Sequence, residues 1–169
     1  MTVALQANDV QSLSGGRFTL GLGSQIKPHI TRRYSMPWSH PAPRMREFIL
    51  AMRAIWACWN DGDKLDSRGD FYRHTLMTPF FNPGPIAHPE IPIFLGAVGP
   101  KMTALAGEVA DGLMTHPTNS APRYLREATQ PALAAGAERG ARDAHQLELL
   151  AGGLIATGRD TVAVARERE

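Results

Sequence analysis

The chain has 169 residues, of which 43% are hydrophobic and 20% are charged, and this composition excludes a disordered or fibrous protein. Its formal charge of +2 comes from 18 basic and 16 acidic residues scattered along the chain, which argues against a nucleic-acid-binding face. No segment approaches the roughly 18 apolar residues of a membrane span, and no basic region followed by an apolar one starts the chain, so we expect a cytoplasmic protein.

The first half of the sequence predicts a helix, a strand, a long loop and a second helix. Residues 3–13 carry apolar side chains at near-helical spacing, and the apolar, glycine-flanked residues 17–23 predict a buried parallel strand. Prolines and other turn formers predict a loop over residues 24–43. Helical spacing returns over residues 44–60 and ends at a turn signal.

The second half predicts an excursion followed by alternating strands and helices. Residues 64–75 suggest a short hairpin, and the proline-rich residues 78–92 suggest a further excursion. The pattern then predicts strands at 91–97, 112–116 and 147–157, helices at 100–110 and 123–139, and another helix beginning at Asp160.

This order predicts an α/β fold in which four parallel strands are joined by helices that lie outside the sheet. A closed barrel of such units typically needs about 250 residues, more than this chain has. We therefore expect residues 1–169 to form a single partial barrel domain, cut within an element at both ends.

Two strand ends carry residues that suit a ligand site. Gly23 and Ser24 lie at the end of the first strand and are too small to block a ligand, with a simple tight turn as the alternative. The segment is not the dinucleotide fingerprint, because a third glycine and an immediate helix are missing. The other strand end contains six candidate residues: Gly96, Ala97, Val98, Gly99, Pro100 and Lys101.

This second strand end predicts an anion site. Pro100 suits the first position of a helix, where free N–H groups and the helix dipole attract negative charge. Gly99 permits close approach and Lys101 adds a positive charge. An ordinary strand-to-helix turn without a ligand remains the alternative.

The remaining reactive side chains give weaker signals. None of the six histidines has the spacing of a zinc site, so we expect no metal. His116, at a strand end, is a candidate for substrate contact, with a solvent-facing or structural histidine as the alternative. His29, in the long loop, is a similar candidate for substrate or coenzyme contact. Asp111 precedes a strand at the opposite end and suggests turn chemistry, while Cys58 suggests a small buried side chain.

Two longer motifs resemble a known family. The segment Leu13-Ser14-Gly15-Gly16-Arg17-Phe18-Thr19-Leu20-Gly21-Leu22-Gly23 resembles the fourth-strand signature of bacterial luciferase-like proteins, and Ala104-Leu105-Ala106-Gly107-Glu108-Val109-Ala110-Asp111-Gly112 resembles a second signature. With a strand ending in Gly99-Pro100 between them, the pair is similar to the branch that uses the deazaflavin coenzyme F420, and the resemblance extends over about residues 3–158.

This resemblance implies a (β/α)8 barrel oxidoreductase that uses F420 or, alternatively, FMN, for hydride transfer or for monooxygenation with molecular oxygen. It implies that Gly23 and Ser24 face the coenzyme and that residues 96–101 wrap its ring edge and phosphate. The coenzyme performs the chemistry, while the protein orients it and excludes water. A small-molecule substrate and a homo-oligomer are the expected partners.

The same resemblance limits what can be assigned. The family's first three strands, which carry its usual acid and base residues, have no counterpart in this sequence, so no catalytic residue is assigned. Two further hypotheses stand beside the oxidoreductase: a non-catalytic remnant that at most binds phosphate or coenzyme, and a self-contained α/β binding domain with an open four-stranded sheet.

Overall fold

The computed structural model describes residues 1–153, 157, 159, 160, 162 and 165. Short helical turns occupy His29–Arg33, Pro79–Phe81, Pro117–Asn119, Leu125–Thr129 and Ala144–Gln146. The longer elements, in chain order, are α1 (Thr2–Ser14), β1 (Leu20–Leu22), α2 (Pro41–Asn60), β2 (Ser67–Arg68), β3 (Arg73–His74), β4 (Ile93–Ala97), α3 (Pro100–Val109), β5 (Gly112–Thr115), α4 (Pro122–Tyr124), α5 (Gln130–Arg139) and β6 (Glu148–Leu150).

The described residues form a four-stranded parallel sheet in the order β1-β4-β5-β6, as predicted. The register pairs Leu22 with Leu95, and Ala97 with Thr115, so the carboxyl ends of these strands meet at one edge. A separate two-stranded hairpin, β2 with β3, branches off between α2 and β4, where the sequence predicts an excursion. Together with the helices between the strands, this is the predicted architecture of a barrel segment.

Several elements differ in length from the prediction. The first strand starts at Leu20, three residues later than predicted. In the segment before it, the Gln11 side chain replaces a neighbouring strand as hydrogen-bond partner, since its Oε1 accepts from Phe18 N (3.1 Å) and its Nε2 donates to Glu90 O (2.7 Å). The second helix begins three residues earlier than predicted, since Pro41 fits a first helical turn.

The C-terminal elements also differ from the prediction. The predicted helix over 123–139 is interrupted by the π turn Leu125–Thr129. The predicted strand over 147–157 is observed as Glu148–Leu150, and its residues 154–156 lie outside the described residues. Most of the helix predicted to begin at Asp160 lies outside them as well.

The hydrophobic core lies between the sheet and the helices. Its largest fully buried apolar side chains come from α2 and from the two central strands, β4 and β5, and they are Ile49, Met52, Ile55, Ile93, Leu95 and Leu113. Cys58 is buried in the same cluster with a free thiol, consistent with the sequence interpretation. Of the helices in the described part of the chain, none combines the length and apolarity that a membrane crossing requires.

Helices α3 and α5 approach each other through glycine. A Cβ atom placed on Gly136 would lie 1.8 Å from the backbone oxygen of Ala104, and one on Gly107 would lie 2.1 Å from that of Leu133. Backbone atoms of helices cannot move aside without moving the whole element. Glycine is therefore required at both positions by the packing of the fold.

Asp111 ties several elements together at the edge of the sheet opposite the strand-end loops. Its carboxylate accepts hydrogen bonds from Arg53 Nη2 (2.9 Å) and from the backbone N–H of Ile93 (2.8 Å), and Arg142 Nη2 lies 3.4 Å away. Its backbone carbonyl accepts from Glu148 N (3.1 Å). Asp111, the residue immediately before β5, thus joins α2, β4 and β6.

Candidate active site at the strand ends

A cavity of about 540 Å³ opens at the carboxyl ends of β1, β4 and β5. It brings together seven residues singled out in the sequence: Gly23, Ser24, Gly96, Ala97, Val98, Gly99 and His116. The loop after β1 also contributes Gln25, Ile26, Lys27 and Trp38, the first residue of α2 contributes Pro41, and Met102, Met114 and Thr115 complete the lining. We call this space the strand-end pocket. Parallel α/β barrels place ligands at this edge.

Two glycines in the strand-end pocket are not required by the fold. A Cβ atom on Gly23 or on Gly99 would have no other atom within 4 Å, and Gly99 has φ −90° and ψ 157°, a conformation open to any residue. In contrast with Gly136, side chains at these positions would occupy open pocket space. The two positions therefore provide room that a bound molecule can fill.

The first turn of α3 borders the same pocket. Its N-cap residue Gly99 makes no side-chain capping hydrogen bond, and Pro100 occupies the first turn. The N–H groups of Lys101 and Met102 have no intrahelical acceptor in that turn, and the helix dipole adds positive potential there. This end of α3 can hold an anionic group.

Pro100 and Lys101 lie on the other side of that turn. They line a shallow outer groove between α2, α3 and α5, together with Arg46, Glu108 and Arg139. Glu108 in that groove pairs with Arg46 Nε (2.5 Å) and lies 3.6 Å from Arg139 Nε. Lys101 is exposed and is not among the residues that line the strand-end pocket.

The two histidines have different positions. His116 lines the strand-end pocket, and its Nδ1 is 2.9 Å from Thr118 Oγ1 and 3.3 Å from Thr118 N, so the 3-10 turn that follows β5 holds the ring. His29 begins the π turn His29–Arg33 and does not line the pocket. No group of three or more metal-binding side chains occurs among the described residues.

A second cavity, of about 360 Å³, adjoins the first. Ser24, Trp38 and Pro41 line both cavities, so these three residues form the boundary between them. The second cavity extends under the long loop toward the first turns of α2 and toward Tyr72. The sequence interpretation missed this cavity and the role of Trp38, although an aromatic residue within a proline-rich loop was the available signal.

The loop that separates the cavities contains unfavourable backbone conformations. Gln25, Ser35 and His40 have φ of 58°, 53° and 44°, in the left-handed region. Each such non-glycine residue costs about 1–3 kcal/mol, and residues of this kind cluster at binding and catalytic sites. Only a loop held firmly by its surroundings keeps three of them.

The Glu47 carboxylate, on α2, holds the neighbouring β2–β3 hairpin in place. It accepts hydrogen bonds from the backbone N–H groups of Phe71 (2.7 Å), Asp70 (2.9 Å) and Tyr72 (3.2 Å). Desolvation raises the pKa of Glu47, but these three donors and the positive charge of Arg44 outweigh it, so the pKa lies below its usual value. The hydrogen bonds fasten the β2–β3 hairpin to the helix that borders both cavities.

Sequence comparison identifies the family to which this geometry belongs. The family described as luciferase-like monooxygenase matches residues 1–168. The chain belongs to this family. The resemblance inferred from the two motifs is thereby confirmed.

Proteins similar to this chain include some that are named as F420-dependent. An uncharacterised protein of Mycobacterium tuberculosis (strain ATCC 25618 / H37Rv) is 50% identical over 98% of this chain and 48% of its own length. A 5,10-methylenetetrahydromethanopterin reductase of Methanolobus tindarius is 32% identical over 88% of this chain and 42% of its own length. The chain thus spans about half the length of these relatives.

A solved structure shows a similar fold. An F420-dependent secondary alcohol dehydrogenase in complex with an F420-acetone adduct superimposes with a TM-score of 0.70 and 24% identity, over 88% of this chain and 43% of that protein. At that identity, the similarity supports the fold alone. It agrees with the parallel sheet and outer helices of this luciferase-like chain.

Proposed function

We propose that this chain forms part of an F420-dependent oxidoreductase and that the strand-end pocket holds the deazaflavin coenzyme. The observation that carries the proposal is the open space at Gly23 and Gly99, two glycines that the fold itself does not require. The relatives that are named as F420-dependent, and the F420-dependent alcohol dehydrogenase of similar fold, support the choice of coenzyme. When bound, F420 supplies hydride-transfer chemistry.

The residues of the pocket have distinct proposed roles. Gly23 and Ser24 lie against the ring, while residues 96–99 follow its edge. The N–H groups in the first turn of α3 hold the phosphate, because that turn borders the pocket. Lys101 is proposed to contribute only a long-range charge, since this residue lines the outer groove and not the strand-end pocket.

Substrate contact is proposed for His116 because it lines the pocket at the end of β5. His29 is retained as a candidate from the sequence, at the start of the π turn whose next residue, Ile30, lines the second cavity. The substrate is a small molecule. Homo-oligomerisation and a cytoplasmic location complete the proposal.

Titration with three ligands tests the coenzyme assignment. Calorimetry with F420, FMN and riboflavin compares a deazaflavin with a flavin, and a phosphate-bearing ligand with a bare ring. We expect F420 to bind with the highest affinity and Gly99→Val to weaken it at least tenfold. Ala134→Val, on the exposed face of α5, serves as a control for the added bulk. Equal F420 affinity in the parent and in folded Gly99→Val would refute the pocket assignment.

A second candidate function is a coenzyme-binding module without turnover. The chain covers 42% of the methanopterin reductase, and its four-stranded sheet has β1 and β6 at its edges. Catalysis requires a substrate fixed against the ring and shielded from water, and an arc of four strands shields one side. Turnover of F420 by this chain, followed by the loss of deazaflavin absorbance, distinguishes the two functions. The module predicts binding without turnover.

Monooxygenation is the variant of the oxidoreductase proposal that the family name suggests. It requires reduced FMN and molecular oxygen, whereas F420 chemistry requires neither. Oxygen uptake in the presence of reduced FMN tests the variant. We expect none, because the relatives that name a coenzyme name F420.

A further inference from the structure

We infer that the second cavity binds a compact, mainly apolar carboxylate. This inference rests on the proposed function, in which the adjoining strand-end pocket holds the coenzyme and the second cavity receives the substrate. The cavity is lined by, among others, Ser24, Met36, Trp38, Ser39, Arg44 and Tyr72.

The lining of the cavity selects an apolar body. Its walls are mostly carbon atoms of Met36, Trp38, Tyr72 and their neighbours, and its volume of about 360 Å³ is at the lower end of the range for small-molecule sites. A compact ring or a short branched chain fits such a space. A sugar or a nucleotide would bring more hydroxyl groups than the lining can hydrogen-bond.

Arg44 provides one positive charge at the edge of this apolar space. Its guanidinium group lies 4.7 Å from the centre of the Phe71 ring and 5.9 Å from that of Tyr72, and its Nη2 donates to Ser39 Oγ at 3.1 Å. Stacking and the hydrogen bond fix the plane of the group, so its remaining N–H donors have a defined direction.

The charge of Arg44 is available to a ligand. Within the described part of the chain, Arg44 forms no salt bridge. Glu47 is the nearby carboxylate that feels its charge, but the oxygens of Glu47 already accept three backbone hydrogen bonds. A single guanidinium group in an apolar setting matches one carboxylate, whereas a dianionic phosphate demands more donors.

The position of the cavity fits a substrate role. Ser24, Trp38 and Pro41 line it and also the strand-end pocket, so a molecule in the second cavity lies next to a molecule in the first. Adjacent cavities that share a wall allow a substrate and a coenzyme to be bound side by side. A carboxylate anchored at Arg44 leaves the apolar end of the molecule to reach that wall.

Calorimetric titration of the 169-residue chain with benzoate and with benzamide tests this inference, because the two probes share their shape and differ in charge. We expect benzoate to bind at least about tenfold more tightly than benzamide. Arg44→Met, which keeps much of the side-chain length, should bring the two affinities within about threefold of each other. Met36→Trp should abolish binding of both probes, since Met36 lines the cavity and is 58% exposed, and a larger side chain there fills the space.

A control variant and an independent titration separate the possible failures. Leu76→Trp adds an indole at an exposed position that does not line the cavity, and it should bind both probes as the parent does. If benzoate does not bind, or binds no better than benzamide, or binds Met36→Trp unchanged, the inference is wrong. Coenzyme binding is followed separately by deazaflavin fluorescence. If the chain binds benzoate as expected but does not bind F420, the proposed function is refuted and the carboxylate site is retained.

Discussion

Two glycine-to-alanine substitutions distinguish a glycine required by the fold from one reserved for a ligand. In Gly136→Ala, the new Cβ would lie 1.8 Å from Ala104 O and 2.7 Å from Ala104 C, both backbone atoms of α3. In Gly23→Ala, the new Cβ would have no other atom within 4 Å. The added methyl group thus clashes with backbone atoms at position 136 and enters open space at position 23.

The expected magnitude for Gly136→Ala follows from two opposing effects. Overpacking costs about 1–3 kcal/mol, and a separation of 1.8 Å places this case at the upper end or beyond, because α3 and α5 must move apart. Replacing glycine by alanine inside a helix returns about 1 kcal/mol. The net loss is about 2 kcal/mol, which for a domain of this size lowers the melting temperature by roughly 4–8 °C.

Thermal denaturation followed by circular dichroism measures this change, and F420 titration of the same samples measures binding. We expect Gly136→Ala to melt several degrees below the parent, and Gly23→Ala to melt with the parent while binding F420 more weakly. If Gly136→Ala melts within about 1 °C of the parent, the fold does not require glycine at position 136. If Gly23→Ala binds F420 as the parent does, Gly23 does not provide space for the coenzyme.

Three further predictions test single charged side chains. Asp111→Asn weakens the interactions of this side chain with two guanidinium groups and with a backbone N–H. Because the Asp111 side chain is a third exposed, we expect the free energy of unfolding, measured by urea denaturation, to fall by only about 1–2 kcal/mol. An unchanged urea midpoint would contradict this expectation. Since Glu47 has a lowered pKa, its stabilisation is present above the usual carboxyl value of 4.5 and is lost as the pH falls through the lower folded pKa. Stability of Glu47→Gln should therefore depend less on pH between about 3 and 5 than stability of the parent, and identical pH profiles exclude the role of Glu47. Lys101→Glu, in the outer groove, should weaken F420 binding less than Gly99→Val does, and an equal or larger loss contradicts the assignment of the phosphate to backbone N–H groups.

The sequence alone determined the architecture because local patterns fix the elements and their order. An apolar run flanked by glycine predicted β1, the alternation of strand and helix patterns predicted β4, α3 and β5, and helical spacing predicted α2. Helices between consecutive strands require a parallel sheet, and parallel strands bring their carboxyl ends to one edge. The gathering of Gly23, residues 96–99 and His116 around one pocket follows from this rule.

Only the tertiary structure decided which side of a loop each residue faces. Lys101 follows Pro100 in sequence, but the turn of α3 directs both toward the outer groove, whereas Met102 lines the pocket. The second cavity depends on Ser24, Arg44 and Tyr72, which belong to three separate segments, and Glu47 anchors the hairpin that carries Tyr72 to the helix that carries Arg44. Spacing along the chain carries no information about such long-range contacts. The sequence also does not distinguish Gly136, which makes room for a neighbouring helix, from Gly23, which opens onto a pocket. Both are glycine, and only the surrounding atoms in the folded chain show which role each one has.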